Sequence, residues 1–584
     1  MPAPRTPTAI LPQLLTWALL AACHAPAPAP LAPEELRRRA LVEQELAAGR
    51  RTEIRFDSAA LLPHERAMLP HLVQAAQGIE ELFLRQRGAF EWVDAVEDEP
   101  SRALYFRNLG PWCEAPSTRD DPDCSALASR PPRRSGVYPP EVQVEGFCDA
   151  LQAEHPELFT PFTALVKVGD SLQAVPYSKR WPEATARVSA ALMEAAGALD
   201  GVAEEAPLAA YLRAAAAAFL DDDWFAADAA WVAMNQDNSR WYLRVGPDEP
   251  YFDPCGRHAG FHLSLARVSQ DGRRWQERLV PVLGDMELAF AAMAGPRYQA
   301  RAVGFKLPEF IEIVLNAGDS RNPTGATVGQ SLPNWGPVAD AGGRTVAMTN
   351  LGTDPASLSA ESAVMDALFC PGTRELWPSE PGPQLGSTVL HEAAHNLGPI
   401  GGYRVDGRSD EEVFGGSGAA LVEELKAQTA SLYFPPWLAQ RGILPQDEVL
   451  PMAMGDIAWA FGQIKQGFWE GDGSPKVYAQ LSAIQLGWLN AQGALRWEAQ
   501  TMAANGADRG CFAVDPARLG PAVDSLAAEV LRIEGEMDRA GLEALVQANV
   551  VGDPMAAWDI VAERAGRQPA PSYVYVIDGQ TFGW

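Results

Sequence analysis

The chain has 584 residues, 47% of them hydrophobic, which is enough to bury large cores in two or more lobes. Its formal net charge of −28 argues against nucleic acid and anionic lipid as partners and favours cationic or amine-bearing ligands. Most of this charge is expected to be solvated surface.

The N-terminus carries an export signal. Residues 1–22 combine one basic side chain, Arg5, with an apolar run at 9–22 that is short for a membrane span, which predicts a secretory signal peptide. The signal ends Leu-Ala-Ala-Cys, which resembles the bacterial lipobox, where Cys23 would be lipidated and become the new N-terminus. The Pro/Ala-rich stretch 23–34 predicts a stiff tether. We expect an exported bacterial lipoprotein held at a membrane, with the outer membrane favoured, by its lipid anchor only; an ordinary signal with a chance cysteine is the alternative.

Helical patterns dominate the first half, with a strand after them. Residues 33–49 begin with proline and end with glycine, which predicts a helix. The alanine-rich stretch 188–234 has apolar residues at 3.6-residue spacing, which predicts several packed helices. Between them, 108–140 is dense in Pro, Asp, Ser and Arg and predicts a long loop. Strands are predicted at 241–245 and from 303 to 314.

Six cysteines follow Cys23, an even number that is compatible with disulfides in an oxidising compartment. Cys113 and Cys124 flank a turn-rich segment inside the predicted loop and are the favoured pair. Spacing alone leaves the pairing of the others open; these are Cys148, Cys255, Cys370 and Cys511.

The strongest chemical signal is the HExxH stretch at 391–395. His391 and His395 are four residues apart, so on a helix they leave the same face and can share one ion at about 2.0–2.1 Å. Glu392 lies about 100° around the helix, where it could take a proton from water as the general base. The alternative is a structural helix with satisfied histidines, but burying these polar groups without a cation would be costly.

A catalytic zinc site needs a third protein ligand. The metzincin pattern fails because Gly401 stands where its third histidine would be. The apolar-periodic run 421–432 offers Glu423 and Glu424 instead, and only one of these neighbours can face the metal. We predict Glu424 as the ligand and Glu423 as an outer partner of the site. Gln428, one turn later, is expected to accept a hydrogen bond from a ligating histidine, although an amide raises ligand basicity less than a carboxylate.

Three motifs, taken in chain order over roughly 241–497, resemble the dipeptidyl-peptidase III family of zinc metallopeptidases. The first is E-x-Y-x-D-P-x-G, formed by Glu249, Tyr251, Asp253, Pro254 and Gly256. The second is the N-[IL]-P-N element, in which Ser331 replaces the first asparagine and Asn334 is retained. The third is the pair of metal motifs, HEAAH and VEELKAQ, the former in a five-residue version of the commoner six-residue form.

The resemblance implies an α+β fold of two lobes with a cleft between them. It places a mixed lobe at 35–270 and 303–350, to which 566–584 could return as a terminal strand, and a helical zinc-bearing lobe at 271–302 and 351–565.

The resemblance also implies site roles. Tyr251 would stabilise the oxyanion, Glu249 would bind the substrate's α-ammonium, and Ser331 and Asn334 would hold the substrate backbone. The family's downstream histidine is absent from the matching helix region 472–497; Tyr478 could donate a hydrogen bond there or could simply be a packed tyrosine.

We therefore predict a peptidase that uses one Zn²⁺ per chain and cleaves near the N-terminus of short peptides with a free N-terminus. Two alternatives stay open: a surface lipoprotein that binds peptides without cleaving them, and a zinc endopeptidase that does not count from the N-terminus. The sequence does not indicate an oligomeric state.

Overall fold

A computed structural model describes residues 31–304, 307–378, 382–471, 473–552 and 557–582. The predicted signal peptide, Cys23 and most of the tether lie outside the described residues. Among the helices that are described, none is long and apolar enough to cross a bilayer.

The described chain contains twelve strands. They are β1 Gly49–Phe56, β2 Thr163–Val168, β3 Ser171–Pro176, β4 Trp241–Glu249, β5 Gly260–Val268, β6 Glu309–Gly318, β7 Gly329–Leu332, β8 Arg344–Met348, β9 Leu495–Met502, β10 Arg509–Val514, β11 Ala570–Ile577 and β12 Gln580–Thr581.

The described α-helices outnumber the strands and make the second half of the chain mostly helical. They are α1 Pro33–Ala47, α2 Pro63–Gln86, α3 Glu99–Asn108, α4 Phe147–Glu154, α5 Tyr177–Arg180, α6 Pro182–Gly197, α7 Ala206–Asp221, α8 Trp224–Ala233, α9 Gln270–Leu279, α10 Leu283–Ala291, α11 Pro337–Asp340, α12 Pro355–Leu368, α13 Pro371–Arg374, α14 Gly382–Ala394, α15 Asp410–Phe414, α16 Gly416–Gln440, α17 Gln446–Ile464, α18 Val477–Ala491, α19 Pro516–Glu536, α20 Arg539–Val546 and α21 Trp558–Gly566.

The main sheet has the strand order β4-β5-β6-β8-β7. Its neighbouring strands are antiparallel except for β6 and β8, which are parallel. Strands β4 and β5 are buried along nearly their whole length, and their buried polar side chains are paired, as Arg244 is with Asp248. Strand β7 lies at an edge and pairs only with β8 among the described strands. Its outer side can therefore accept another strand.

The first core packs helices α2, α6, α7 and α8 against this sheet. The C-terminal strand β11 returns to the same half of the molecule, where it pairs in parallel with β1, from Gly49 with Ala570 to Phe56 with Ile577. The terminal strand predicted from the sequence is thus present, and its Tyr575 is buried in the first core.

Helix α16 is the centre of the helical half. One of its faces, with Leu421 and Leu425, packs into a core shared with α17, α18 and α19. Another face, with Ala427, Ala430 and Phe434, packs into a core shared with α9, α10 and α14. A helix that is apolar on all sides is expected to be buried in this way.

The predicted elements are largely confirmed. The helix at 33–49 is α1, the stretch 188–234 forms α6 to α8, and 109–139 contains no helix or strand. Cys113 is bonded to Cys124 as favoured, and the remaining bridges are Cys148–Cys255 and Cys370–Cys511. The strand predicted from 303 was wrong at its start: β6 begins at Glu309, directly after Pro308, which has no backbone N–H to donate to a neighbouring strand.

Candidate metal centre

The HExxH residues lie at the C-terminal end of α14. Gly386, near the middle of this helix, allows close packing, because a Cβ there would lie 2.5 Å from the Trp275 ring and 2.8 Å from Met452. His395 follows directly after the last helical residue. The chain then turns at Gly398, whose φ of 68° favours glycine. The buried Glu287 carboxylate fixes this turn by accepting a 2.7 Å hydrogen bond from the Gly398 N–H.

His391, His395 and Glu424 converge. The two Nε2 atoms lie 3.1 Å apart, and Glu424 Oε2 lies 3.3 Å from His391 Nε2 and 3.8 Å from His395 Nε2. Glu424 reaches the group from α16, which packs against α14. Among the described residues these three form the one His/Cys/Asp/Glu group whose ligand atoms are placed to hold a metal, all within 4.8 Å of one another.

The donor set fits a zinc ion. Tetrahedral bonds of about 2.0–2.1 Å place ligand atoms about 3.3 Å apart, close to the separations here. Glu423 Oε1 lies 2.9 Å from His395 Nδ1 and can only accept, so this Nδ1 carries its proton and Nε2 presents a lone pair; Gln428 Oε1, 3.0 Å from His391 Nδ1, allows the same arrangement at His391. Glu424 Oε2 is buried and has no hydrogen-bond partner in the described structure. Two nitrogen lone pairs and an unpaired carboxylate oxygen repel one another when they face the same point, and a cation bound between them would remove this cost.

The outer partner of His395 belongs to a buried charge network that the sequence did not reveal. Glu423 accepts a 2.8 Å hydrogen bond from Lys426, which also lies 3.3 Å from Glu534 of α19 and donates to the Pro399 carbonyl at 2.6 Å. Lys426 is fully buried. The only signal in the sequence was a lysine near the two glutamates of a largely apolar helix, and its partners Pro399 and Glu534 lie far along the chain.

The charges around the site favour ionised carboxylates. Burial raises the pKa of Glu424, but the closeness of the His391 and His395 imidazoles outweighs burial, so the net pKa is below its usual value. The pKa of His395 is lowered by burial yet raised overall, because Glu423 accepts its hydrogen bond and Glu424 adds negative charge. The site therefore attracts positive charge.

Glu392 and Tyr478 lie beside the metal ligands. No described side chain donates a hydrogen bond to Glu392, which leaves its carboxylate free to meet a water molecule. Burial raises the pKa of Tyr478, and the nearby Glu424 carboxylate raises it further. The tyrosine ring packs edge-on against Trp459 at 6.0 Å. Tyr478 therefore packs against Trp459 and also lies near enough to Glu424 for that carboxylate to raise its pKa.

The residues predicted to bind substrate form a second group on the main sheet. Glu249, at the end of β4, accepts a 2.8 Å hydrogen bond from the Asn334 amide, which also donates to the Asp248 carbonyl. Ser331 lies on the edge strand β7 and hydrogen-bonds to Thr345 of β8. Tyr251 is 85% exposed. No hydrogen bond or ion pair of the described residues joins this group to the histidines.

Asp253 holds the loop that carries Tyr251. Its carboxylate accepts hydrogen bonds from the backbone N–H groups of Arg257 and His258, at 2.8 and 2.9 Å, and from the Tyr138 hydroxyl at 3.0 Å. The Cys148–Cys255 bridge ties the same loop to α4. The aspartate of the E-x-Y-x-D-P-x-G motif thus has a structural role.

A cavity of about 850 Å³ adjoins Tyr251. Its wall includes Asp319, which follows β6 and was not singled out from the sequence. Burial raises the pKa of this half-buried carboxyl to about 7, with a further rise from the Glu249 charge, against the lowering effect of His262 and Arg87. His391, His395 and Glu424 are not among the residues that line this cavity.

Comparison with known proteins shows which fold this is. No protein-family model matches the chain. It is 24% identical over 388 residues to Nudix hydrolase 3 of Arabidopsis thaliana, a match that covers 63% of this chain and 44% of that protein, so the chain spans less than half of this relative. The structure of dipeptidyl-peptidase III from Caldithrix abyssi superposes with a TM-score of 0.74 at 22% identity, over 91% of this chain and 98% of that one. The enzyme from Corallococcus sp. strain EGB gives a TM-score of 0.59, also at 22% identity, over 91% and 96%.

The chain therefore has the fold of dipeptidyl-peptidase III, and the resemblance in sequence motifs extends to the fold. The predicted α+β class is confirmed.

Proposed function

We propose that the chain is a zinc-dependent peptidase of the dipeptidyl-peptidase III family, which releases dipeptides from the N-terminus of short peptides. The observation that carries the proposal is the convergence of His391, His395 and the unpartnered Glu424 Oε2 in a chain with this fold. These three residues would hold one Zn²⁺. Bound zinc would supply a Lewis acid and lower the pKa of its water toward about 7.

Glu392 is the proposed general base. It lies between the two histidines in sequence, and its carboxylate has no competing hydrogen bond from a described side chain, so it can accept the proton of the attacking water. Proton transfer of this kind contributes about 10² to 10⁴ in rate. Tyr251 is exposed and free to donate a hydrogen bond to the oxygen that becomes negative as the peptide bond is attacked, a donor worth about 10² to 10³.

Two features of the sheet support N-terminal recognition. The edge strand β7 can take an extended peptide by adding it as a further strand, with Ser331 on the strand and Asn334 just after it. The Asn334 amide orients Glu249 by its 2.8 Å hydrogen bond, and that carboxylate can pair with an α-ammonium group. A peptide bound in this way would have its first residues fixed relative to the site of cleavage.

The test is cleavage of one short peptide in two forms, with a free and with an acetylated N-terminus, analysed by mass spectrometry. The proposal predicts that the zinc-loaded protein releases a dipeptide from the free form and loses most activity on the acetylated form. Glu249→Gln should weaken cleavage of the free form and have little effect on the residual cleavage of the other. Equal internal cleavage of both forms would indicate an endopeptidase instead.

A further inference from the structure

A chain of buried polar groups lies behind His391. Its Nδ1 lies 3.0 Å from Gln428 Oε1, and the Nε2 of the same glutamine donates to Asp456 Oδ1 at 3.3 Å and to Ser431 Oγ at 3.2 Å. Gln428 and Asp456 are only 6% and 4% exposed. Asp456 belongs to α17, which packs against both α14 and α16. The three helices of the metal site thus meet at this chain.

An amide alone cannot decide which tautomer its histidine partner adopts. Glutamine can turn either its oxygen or its NH₂ toward the ring, and neutral imidazole carries its proton on either nitrogen. If the NH₂ faced Nδ1, the imidazole proton would be on Nε2, and the atom that points at Glu424 and His395 could not bind a metal. Some further group must therefore fix the glutamine.

Asp456 is such a group because an ionised carboxylate only accepts hydrogen bonds. Asp456 can accept a hydrogen bond only from the NH₂ group of Gln428, so the amide oxygen of Gln428 must face His391. Ser431 acts in the same sense, since its hydroxyl donates to the Gln428 backbone carbonyl at 2.7 Å and is left as an acceptor for the amide. Burial raises the pKa of Asp456 to about 7, against the lowering effect of hydrogen bonds such as the one from Gln428, so the acceptor-only form of this carboxylate predominates above pH 7.

We propose that Asp456 is a positioning residue for metal binding: through Gln428 it selects the His391 tautomer whose Nε2 lone pair faces the ion. The inference rests on the proposed zinc site. It also accounts for the amide at position 428, because the carboxylate that often contacts a ligating histidine is present here one group further away. In this chain the hydrogen bonds run from His391 through the Gln428 amide to the Asp456 carboxylate, whereas in the usual arrangement the histidine contacts a carboxylate directly.

The test first replaces the Asp456 carboxylate by an amide and then exchanges the amide and the carboxylate between positions 428 and 456. Asp456→Asn keeps the shape but can donate or accept, so Gln428 is no longer fixed, and the zinc dissociation constant should rise about tenfold, the lower end of the effect of losing such an outer partner. The double variant Gln428→Glu with Asp456→Asn puts the carboxylate directly on His391 Nδ1 and an amide donor behind it. It should restore zinc affinity to within about threefold of the wild type.

Zinc affinity is measured at a pH above 7, where Asp456 is mainly ionised, by competition with a chromogenic chelator, and thermal unfolding of each metal-free variant checks the fold. Asp319→Asn, the same substitution at a carboxyl that lies outside the helical cores, is the matched control and should leave zinc affinity unchanged. Wild-type affinity in Asp456→Asn, or a double variant as weak as the single one, would overturn the inference while leaving the proposed function intact. Failure of the wild type itself to bind zinc would overturn the metal site and this inference with it.

Discussion

At the scale of residues, the metal motif could be predicted because its geometry is local. His391, Glu392 and His395 lie within five residues; only one of the neighbours Glu423 and Glu424 could face the metal, and the resemblance matched Glu424. The structure places Glu424 in the histidine group and Glu423 on the far nitrogen of His395. The functions of Lys426, Asp456 and Asp319 could not be predicted, because each depends on contacts between segments that are distant in sequence.

The neighbouring glutamates provide a matched test of the ligand assignment. Glu424→Ala removes a proposed ligand, so the protein should lose its zinc on dialysis. Glu423→Ala removes an outer partner of His395 and of Lys426 but no proposed ligand, and should keep zinc with roughly 10- to 100-fold weaker affinity. Metal analysis after dialysis distinguishes them, and the reverse pattern would transfer the ligand role to Glu423.

Asp319 predicts a pH dependence of stability. Its folded pKa of about 7 exceeds the usual unfolded value of about 3.9, so the protonated form is favoured by folding. The protonated Asp319 carboxyl makes its full contribution to folding stability below about pH 4, and this contribution is lost as the pH rises toward 7. Asp319→Asn cannot ionise, so it should unfold at the wild-type temperature at pH 4 and at a higher temperature at pH 8. A difference that did not grow with pH would show that Asp319 titrates normally.

At the scale of elements, helix and loop positions were predictable from composition and periodicity, whereas strand partners were not. The alternation in Ser-Tyr-Val-Tyr-Val-Ile indicated β11, but nothing local indicated that it pairs with β1. The start of β6 was misplaced because the apolar pattern continues through Pro308, which cannot pair. The edge position of β7, on which peptide binding depends in our proposal, likewise follows only from the assembled sheet.

The central helix α16 makes a prediction at this scale. Lys426 joins it to α19 and to the turn after α14, and removing one partner of a buried ion pair costs about 3 to 5 kcal/mol. Lys426→Met should therefore unfold at a lower urea concentration than the wild type.

Lys426→Met leaves two carboxyl groups without their cation, Glu423 and Glu534, and the control removes the more deeply buried one. Adding Glu534→Gln to Lys426→Met should recover part of the lost stability, because the buried negative charge disappears. A single variant as stable as the wild type would mean that the network contributes nothing to holding α16 and α19 together.

At the scale of the whole molecule, the two-lobed organisation came from the resemblance, and the composition supported only mixed helix and strand. The boundaries at 270, 303 and 350 stay predictions. The lipid anchor at Cys23 also stays a prediction, because it falls outside the described residues. We expect Cys23→Ser to abolish partitioning into detergent, and identical partitioning of the variant and the wild type would contradict the anchor.

The central claim is that this fold cleaves peptides with a zinc ion held by His391, His395 and Glu424 and with Glu392 as the base. The most direct measurement is turnover of a short peptide with a free N-terminus by zinc-loaded wild type and Glu392→Gln, with zinc content and calorimetric peptide affinity determined on the same samples. We predict one zinc per chain and similar peptide affinity in both proteins, and turnover that is about 10² to 10⁴ lower in the variant, because an amide cannot accept the proton. Turnover unchanged by the substitution would remove Glu392 from the mechanism, and a zinc-loaded wild type that binds the peptide but never cleaves it would contradict the account and identify a peptide-binding protein.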